Sequence, residues 1–356
     1  MSQTQNKDFF KGRGAQINTR NKFLKNDYVA EHPEGIDEVM LENGNTRIYE
    51  EHPKSIVSIS KSRDLPFLHS INPYQGCEHG CIYCYARNSH EYYGFSAGLD
   101  FEQKIIVKRE APELLEKYLN KRGYIPQVIM LSGNTDCYQP IERSLKITRS
   151  LLKVLLKYKH PVSIISKNNL MLRDIDILKE LASLNLLHIS VSLNSLNEDL
   201  RQKLEPRTVT ARGRIELIRR LNQENIPVRL MFAPIIPGLN SDEIPGLIKT
   251  AAEAGASDAA FTLLRLNGSI AELFSDWIIK SFPDRAEKVV NLIADCHDGK
   301  LNDSRWGKRI SGDGKVAESI HKLFNISVKK FMNDRKMPEF NFDHFNQAAG
   351  KQLNLF

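Results

Sequence analysis

"NPYQGCEHGCIYCYAR", residues Asn72–Arg87, holds three of the five cysteines of a 356-residue chain. They are Cys77, Cys81 and Cys84, spaced Cys-x3-Cys-x2-Cys. Cys137 and Cys296 stand alone, so the odd count does not describe a disulfide framework. Free thiols crowded into one loop read as metal ligands in a reducing compartment. Four thiolates normally hold a four-iron, four-sulfur cluster. Three leave one iron without a protein ligand, and a metal with an open position can bind a small molecule, as catalytic zinc does. The alternative for the same spacing is a structural zinc site, with His79 or His90 as fourth ligand.

Upstream of the loop, "FLHSIN" (67–72) reads as a strand. Downstream, short apolar runs rich in β-branched residues recur: "KIIVK" (104–108), "QVIML" (127–131), "VSIIS" (162–166), "LLHISVSL" (186–193), "PVRLMF" (227–232) and "DAAFTLL" (258–264). Helical stretches such as "RDIDILKELASLN" and "ARGRIELIRRLNQEN" separate them. Repeated βα implies a parallel sheet covered by helices. The runs carry little polar alternation, which predicts strands buried on both sides. Reacting groups in such folds sit on loops at the carboxyl ends of the strands. In one helical stretch Ile141, Leu145, Thr148, Leu152 and Leu155 share a face that docks on the sheet, opposite Arg143, Lys146, Ser150, Lys153 and Lys157. Ser195 and Glu198 have capping-box spacing, opening a short helix that Pro206 stops.

The length suits one large α/β domain with terminal additions, or two smaller domains. No run of about 18 apolar residues reads as a membrane span, and the polar, basic first thirty residues do not read as a secretory signal. The expected compartment is the cytoplasm. Net charge is +7 and the pI about 9.0. Residues 1–25 carry six basic side chains against Asp8, and "RQKLEPRTVTARGRIELIRR" (201–220) carries seven against two acids. A polyanion such as nucleic acid fits this balance, as do solvated helix faces.

The cysteine loop, with the aromatic Tyr83 before its last cysteine, resembles the signature of the radical S-adenosylmethionine (SAM) superfamily. "NPYQGCEHGCIYCYAR", "SGNTDCYQPIE", "SKN", "LEPRT" and "APIIPGLNSDE" are similar to the spore-photoproduct-lyase-like branch, over roughly residues 60–270. The resemblance implies a partial (β/α)6 TIM-like barrel with N- and C-terminal extensions: an extension over 1–60, the core over 61–300 and a further extension over 301–356. The six runs agree with it, as do five of them plus the strand before Cys77. It also implies a [4Fe-4S] cluster on Cys77, Cys81 and Cys84, with SAM chelated by the open iron and cleaved to a 5′-deoxyadenosyl radical. The electron would come from a flavodoxin- or ferredoxin-like donor.

Residues on the loops and strand ends complete the expected site. Ser132, Gly133, Asn134 and Thr135 stand where the family holds the SAM amino group, although the acid of that element is missing. Ser166 and Lys167 end a strand, where the lysine could pair with the SAM carboxylate. Ser190 and Ser192 point to one face and could hydrogen-bond SAM. Arg207 suits a carboxylate or phosphate, and Ile236 an apolar contact to adenine. Spore photoproduct lyases return a hydrogen atom from a cysteine. The candidate here is Cys137, with Tyr138, Tyr74 and Tyr85 as relays or stacking platforms and a buried inert cysteine as the alternative.

At the ends, "VMLENGNTRIY" reads as a hairpin turning at Asn43-Gly44. "DSRWGKRISGDGKVAESIHKLFN" reads as a basic, glycine-rich loop before a helix, and "MPEFNFDHFNQAAGKQLNLF" as a tail. The functional expectation is a radical SAM enzyme acting on damaged or modified nucleic acid. The alternatives are one acting on a protein or small molecule, and a zinc-binding nucleic-acid module.

Overall fold

Ten strands are described in the computed structural model, which covers residue 10 and residues 12–23, 46–62, 64 and 67–347. They are β1 (Arg47–Glu50), β2 (Val57–Ile59), β3 (His69–Ile71), β4 (Tyr74–Gln75), β5 (Lys104–Val107), β6 (Ile129–Leu131), β7 (Val162–Ser166), β8 (Leu187–Ser192), β9 (Val228–Ile235) and β10 (Asp258–Leu263). Seven form one sheet in the order β10-β9-β8-β7-β6-β3-β2. Every pair in it is parallel except β2 with β3. The six parallel strands with their crossover helices are the partial (β/α)6 barrel, mixed α/β as expected.

The barrel uses five of the six apolar runs plus the strand ahead of Cys77. "KIIVK" goes elsewhere, because β5 lies between β1 and β4 in a separate three-stranded sheet. Its apolar composition fits any buried strand, so sequence alone does not assign its sheet. The Asn43-Gly44 turn lies outside the described residues; the segment after it, β1, pairs in parallel with β5.

Side-chain alternation sets the two faces of the sheet. Leu187, Ile189 and Val191 of β8 are fully buried in the core shared with the helices, so His188, Ser190 and Ser192 face into the barrel. Met130, Ile165, Arg229 and Met231 occupy the corresponding inner face and are only half-buried. The outer face is apolar and fully buried, whereas the inner face mixes buried serines, Ser163, Ser190 and Ser192, with these half-buried side chains, so it is the more polar and less tightly packed of the two.

Two local expectations change. The long helical stretch is broken, because Lys146 adopts a φ of 55° between helices Glu142–Leu145 and Ile147–Lys157. In the second piece Thr148, Leu152 and Leu155 are fully buried and Lys153 and Lys157 exposed. Helix Glu198–Leu204 is capped by Asn197, whose side chain accepts from Leu200 N, and Ser195 instead donates to Glu243.

Residues 337–347 of the expected tail are packed, and the remainder lies outside the described residues. His188 Nε2 meets Pro338 O at 2.7 Å, and the Phe340 ring lies 3.8 Å from the His188 ring and 6.0 Å from Phe67. Asn341 N donates to Asn185 O, and Asn346 N to Tyr158 O. Each partner precedes or begins a barrel strand, so residues 337–347 strap the barrel's amino end. At the other end, Leu263 N donates to Ile310 O while Gly307 N and Arg309 donate to Asp64, just past β2. The 301–313 loop thereby links the open edges β10 and β2.

Candidate active site at the barrel mouth

The cysteine loop leaves β3 and β4 and crosses the carboxyl ends of the strands. Cys77 N donates to Phe101 O at 2.9 Å, and Cys84 N to Cys81 O. Gly76, at φ +81°, is forced: a Cβ there would sit 2.9 Å from Lys104 O. Arg87 is fully buried and donates to Cys81 O (2.9 Å), Ala97 O (3.1 Å), Gly98 O (2.9 Å) and Glu102 Oε1 (2.6 Å). Glu102 also accepts from Gly14 N and Ala15 N. The N-terminal segment therefore lies directly on the cysteine loop, and a Cβ on Gly14 would stand 1.8 Å from Gly80 O.

All three cysteines are free; Cys77 and Cys81 are buried and Cys84 partly so. Burial first, then the charges of Asp136 and the other two cysteines, push the Cys77 thiol well above its usual range. Burial likewise raises Cys81. Such thiols give up their protons readily only to a metal. Among the described residues no three His, Cys, Asp or Glu side chains converge on a single ion. A four-iron cluster takes each thiolate on a different iron, a demand that three free thiols on one loop can meet. His79 is held by Asp136, 3.3 Å from its Nδ1, and by Asn168 Nδ2, 3.4 Å from its Nε2, whereas the His90 ring packs on Phe95 and Phe101 with both nitrogens buried and unpartnered among the described residues.

The remaining residues divide by what they touch. Ser132, at φ 71°, accepts from Cys137 N, and Gly133 O accepts from Tyr85 OH. Asn134 donates to Gln75 and Ser89, and Thr135 Oγ1 to Tyr74 O, so this loop braces the cysteine loop. Ser166 Oγ and Lys167 N both donate to Asp136. Burial would raise the Asp136 carboxyl, but His79 and Lys167 hold it at about 2. The Lys167 ammonium points into the mouth, 6.0 Å from the Tyr83 ring centre. Burial opposes its charge, yet Cys81, Glu205 and Asp136 keep it above the usual lysine range. Ser190 and Ser192 face the lumen, Ile236 packs in the same apolar group as Cys81 and Tyr83, and Arg207 N donates to His79 O.

Cys137 and Tyr138 are not at the mouth. Both are fully buried in the main core, where Tyr138 OH donates to Asp174 at 3.1 Å, and burial raises both groups well above their usual range. Tyr74 is also fully buried, bonded to Glu142. Tyr85 is the one of these four that stays exposed, at 51%.

Sequence reasoning missed the buried charges that hold Tyr83. Tyr83 OH donates to Glu205, which forms a fully buried ion pair with Arg214. Burial would raise Glu205, but Arg214 and Lys167 keep it below the usual carboxylate range. Asn194 Nδ2 donates to Tyr83 OH at 3.3 Å. Asn194 Oδ1 and Ser192 Oγ, both buried, have no partner. Orphaned acceptors next to Tyr83 and the cysteine loop fit a polar ligand such as SAM. The only signal for Glu205 was "LEPRT" itself, and Arg214 stood unmarked in "ARGRIELIRR" (211–220). The basic 201–220 stretch is likewise not a free patch, since Arg201 pairs with Glu198, Arg214 with Glu205 and Arg219 with Glu216.

A family model described as the radical SAM superfamily matches residues 71–251. An uncharacterized protein of Mycobacterium tuberculosis is 31% identical over 230 residues, 64% of this chain and 68% of that one. An uncharacterized protein of Methanocaldococcus jannaschii is 29% identical over 224 residues, 63% of this chain and 80% of that one. Spore photoproduct lyase complexed with dinucleoside spore photoproduct has the same architecture, with a TM-score of 0.56, 16% identity and coverage of 80% and 79%. A variant of that enzyme with bound AdoMet and the dinucleoside gives 0.58, 15%, 87% and 88%. No helix among the described residues is long and apolar enough to cross a membrane. The family's cofactors are a [4Fe-4S] cluster and SAM, and with three free thiols at the mouth of a partial (β/α)6 barrel this chain belongs to the radical SAM superfamily.

Proposed function

We propose that this protein directs radical chemistry at a damaged or modified base of a nucleic acid presented to the barrel mouth. One observation carries the reading: the rim between β10 and β2 combines exposed aromatic faces with clustered guanidinium groups. Trp306 is 54% exposed, with the Arg309 guanidinium 4.3 Å from its ring centre, and Tyr85 is half-exposed nearby. Arg265, just past β10, is held below the usual arginine range by burial and then by the Arg309 charge. Aromatic rings stack on bases and arginines pair with phosphates. The net charge of +7 supports a polyanionic partner, as does the fold shared with a lyase seen with a dinucleoside photoproduct.

Cys77, Cys81 and Cys84 would hold the cluster, and Ser192, Asn194, Lys167 and Ile236 would contact SAM. When bound, the pair supplies reductive cleavage of the sulfonium bond and a 5′-deoxyadenosyl radical. The chain's own part is to position and to shield. Arg87 and Glu102 fix the cysteine loop, Glu205 fixes Tyr83, and the 337–347 strap covers the lumen's far end. A base flipped out of its stack would enter from the open end. The electron donor in this reading is a flavodoxin- or ferredoxin-like protein.

The test is anaerobic incubation of the reconstituted protein with SAM, reductant and ultraviolet-irradiated DNA, with Cys81→Ala as control. The expected result is 5′-deoxyadenosine together with a loss of photoproducts. Turnover of a peptide or small molecule, with nucleic acid inert, overturns the reading.

A further inference from the structure

On the side of the mouth formed by the segments after β6, β7 and β8 lies a cavity. It measures about 240 Å³ and is lined by Pro140, Arg143, Asn168, Asn169, Leu170 and Arg207–Val209, from the loops after β6, β7 and β8. Pockets that enclose a whole small ligand run to about 300–1,000 Å³. This one suits a single charged group of something larger. Arg143 is exposed and Arg207 is 34% exposed, so both can turn their donors to a ligand. Glu78 Oε1 lies 3.8 Å from Arg207 Nη2, beyond hydrogen-bond reach, and accepts instead from Thr46 Oγ1 at 2.7 Å. The cavity adjoins the reaction chamber, since Asn168 lines it while the preceding Lys167 reaches over Tyr83.

We propose that this cavity is an oxyanion subsite that takes a backbone phosphate of a polynucleotide, with Arg143 and Arg207 as its guanidinium ligands. The inference rests on the nucleic-acid reading above and gives it a geometry. A strand crossing the mouth meets cationic side chains at both sides, Arg265 just past β10 and Arg143 and Arg207 by β6–β8, while Arg309 is held by Asp64. Guanidinium forks match tetrahedral oxyanions bidentately, which a concave pocket with two of them exploits. Docking of an acidic protein would need charges spread over a flat face, not gathered in a hollow.

The experiment measures affinity of a short fluorescein-labelled single-stranded oligodeoxynucleotide for the anaerobically reconstituted protein at several salt concentrations. Arg143→Gln, Arg207→Gln and Arg207→Lys are compared with the unaltered chain, and iron and sulfide content checks that each variant is intact. Each Gln variant is expected to bind more weakly and to lower the slope of log affinity against log salt by about 0.7, the share of one phosphate contact. Arg207→Lys should restore the slope but not all the affinity. Unchanged affinity and slope in both Gln variants overturn the subsite and leave the function reading standing. Absence of salt-dependent binding by the unaltered protein overturns both. Normal oligonucleotide binding with slowed cluster reduction by flavodoxin overturns the subsite in favour of an electron-donor surface.

Discussion

Replacing Arg87 by Met tests the idea that a buried ion pair anchors the cysteine loop. Neither Arg87 nor Glu102 has any exposed side chain. Arg87 makes four hydrogen bonds, three to loop carbonyls and one at 2.6 Å to Glu102. Met fills similar volume without charge, so the change strands a buried carboxylate. Breaking a buried pair on one side costs about 3–5 kcal/mol. The three orphaned carbonyls add on the order of 1 kcal/mol each if unrelieved. Glu102 keeps the Gly14 and Ala15 amides, which moderates the first cost. A loss of at least about 3 kcal/mol is expected, against a total stability of about 5–15 kcal/mol. The assay is denaturant unfolding of cluster-free protein, followed by iron content after reconstitution. Arg87→Met with Glu102→Gln should recover part of the loss, since no lone charge remains. A single variant that loses less than about 1 kcal/mol and takes up a full cluster would refute the anchoring argument.

Gly14→Ala places a Cβ against Gly80 O and should lower iron uptake, measured as iron per chain; normal uptake would show that the N-terminal segment moves away at no cost. Burial pushes His160 down to about 4, so its folded-state value lies below that of the unfolded chain. The stability it permits is complete above about pH 6.5 and is lost as pH falls towards 4, by on the order of 2–3 kcal/mol. Urea unfolding of cluster-free protein across that range should show the loss, and His160→Gln should flatten it; identical slopes would contradict the assignment. Asn194→Ala removes a buried unpartnered acceptor and should weaken SAM binding to the reconstituted protein by about 5–30-fold, with unaltered affinity excluding the contact. Phe340→Ala unseats the ring that bridges Phe67 and His188, and more 5′-deoxyadenosine per product is expected; an unchanged ratio would deny the strap a role in coupling.

The cysteine loop and the five downstream barrel strands were legible because each is a local signal: a spacing, or a β-branched run between turns. What stayed hidden depends on long-range partners. "KIIVK" reads like its neighbours, and only pairing with β1 and β4 takes it out of the barrel. Cys137 follows a mouth loop in sequence, but the chain turns at Ser132 and Asp136 and carries it into the core. The stretch holding Glu205 and Arg214 read either as a polyanion-binding surface or as solvated helix faces, because charged residues are usually exposed, and their burial shows only when partners 9 and 122 residues away meet. The Asn197 cap displaced Ser195 because Ser195 had a stronger claim on it from Glu243.

The strap of residues 337–347 turns the barrel from a tube into a cup. A polymer cannot thread through such a vessel; it can only lie across the brim and let one unit dip inside. For a polymeric substrate, selection would then fall on whichever unit protrudes or detaches easily from its neighbours, and the length of the flanking chain would be of little consequence. A closed floor would also deny any species formed inside an exit by that end.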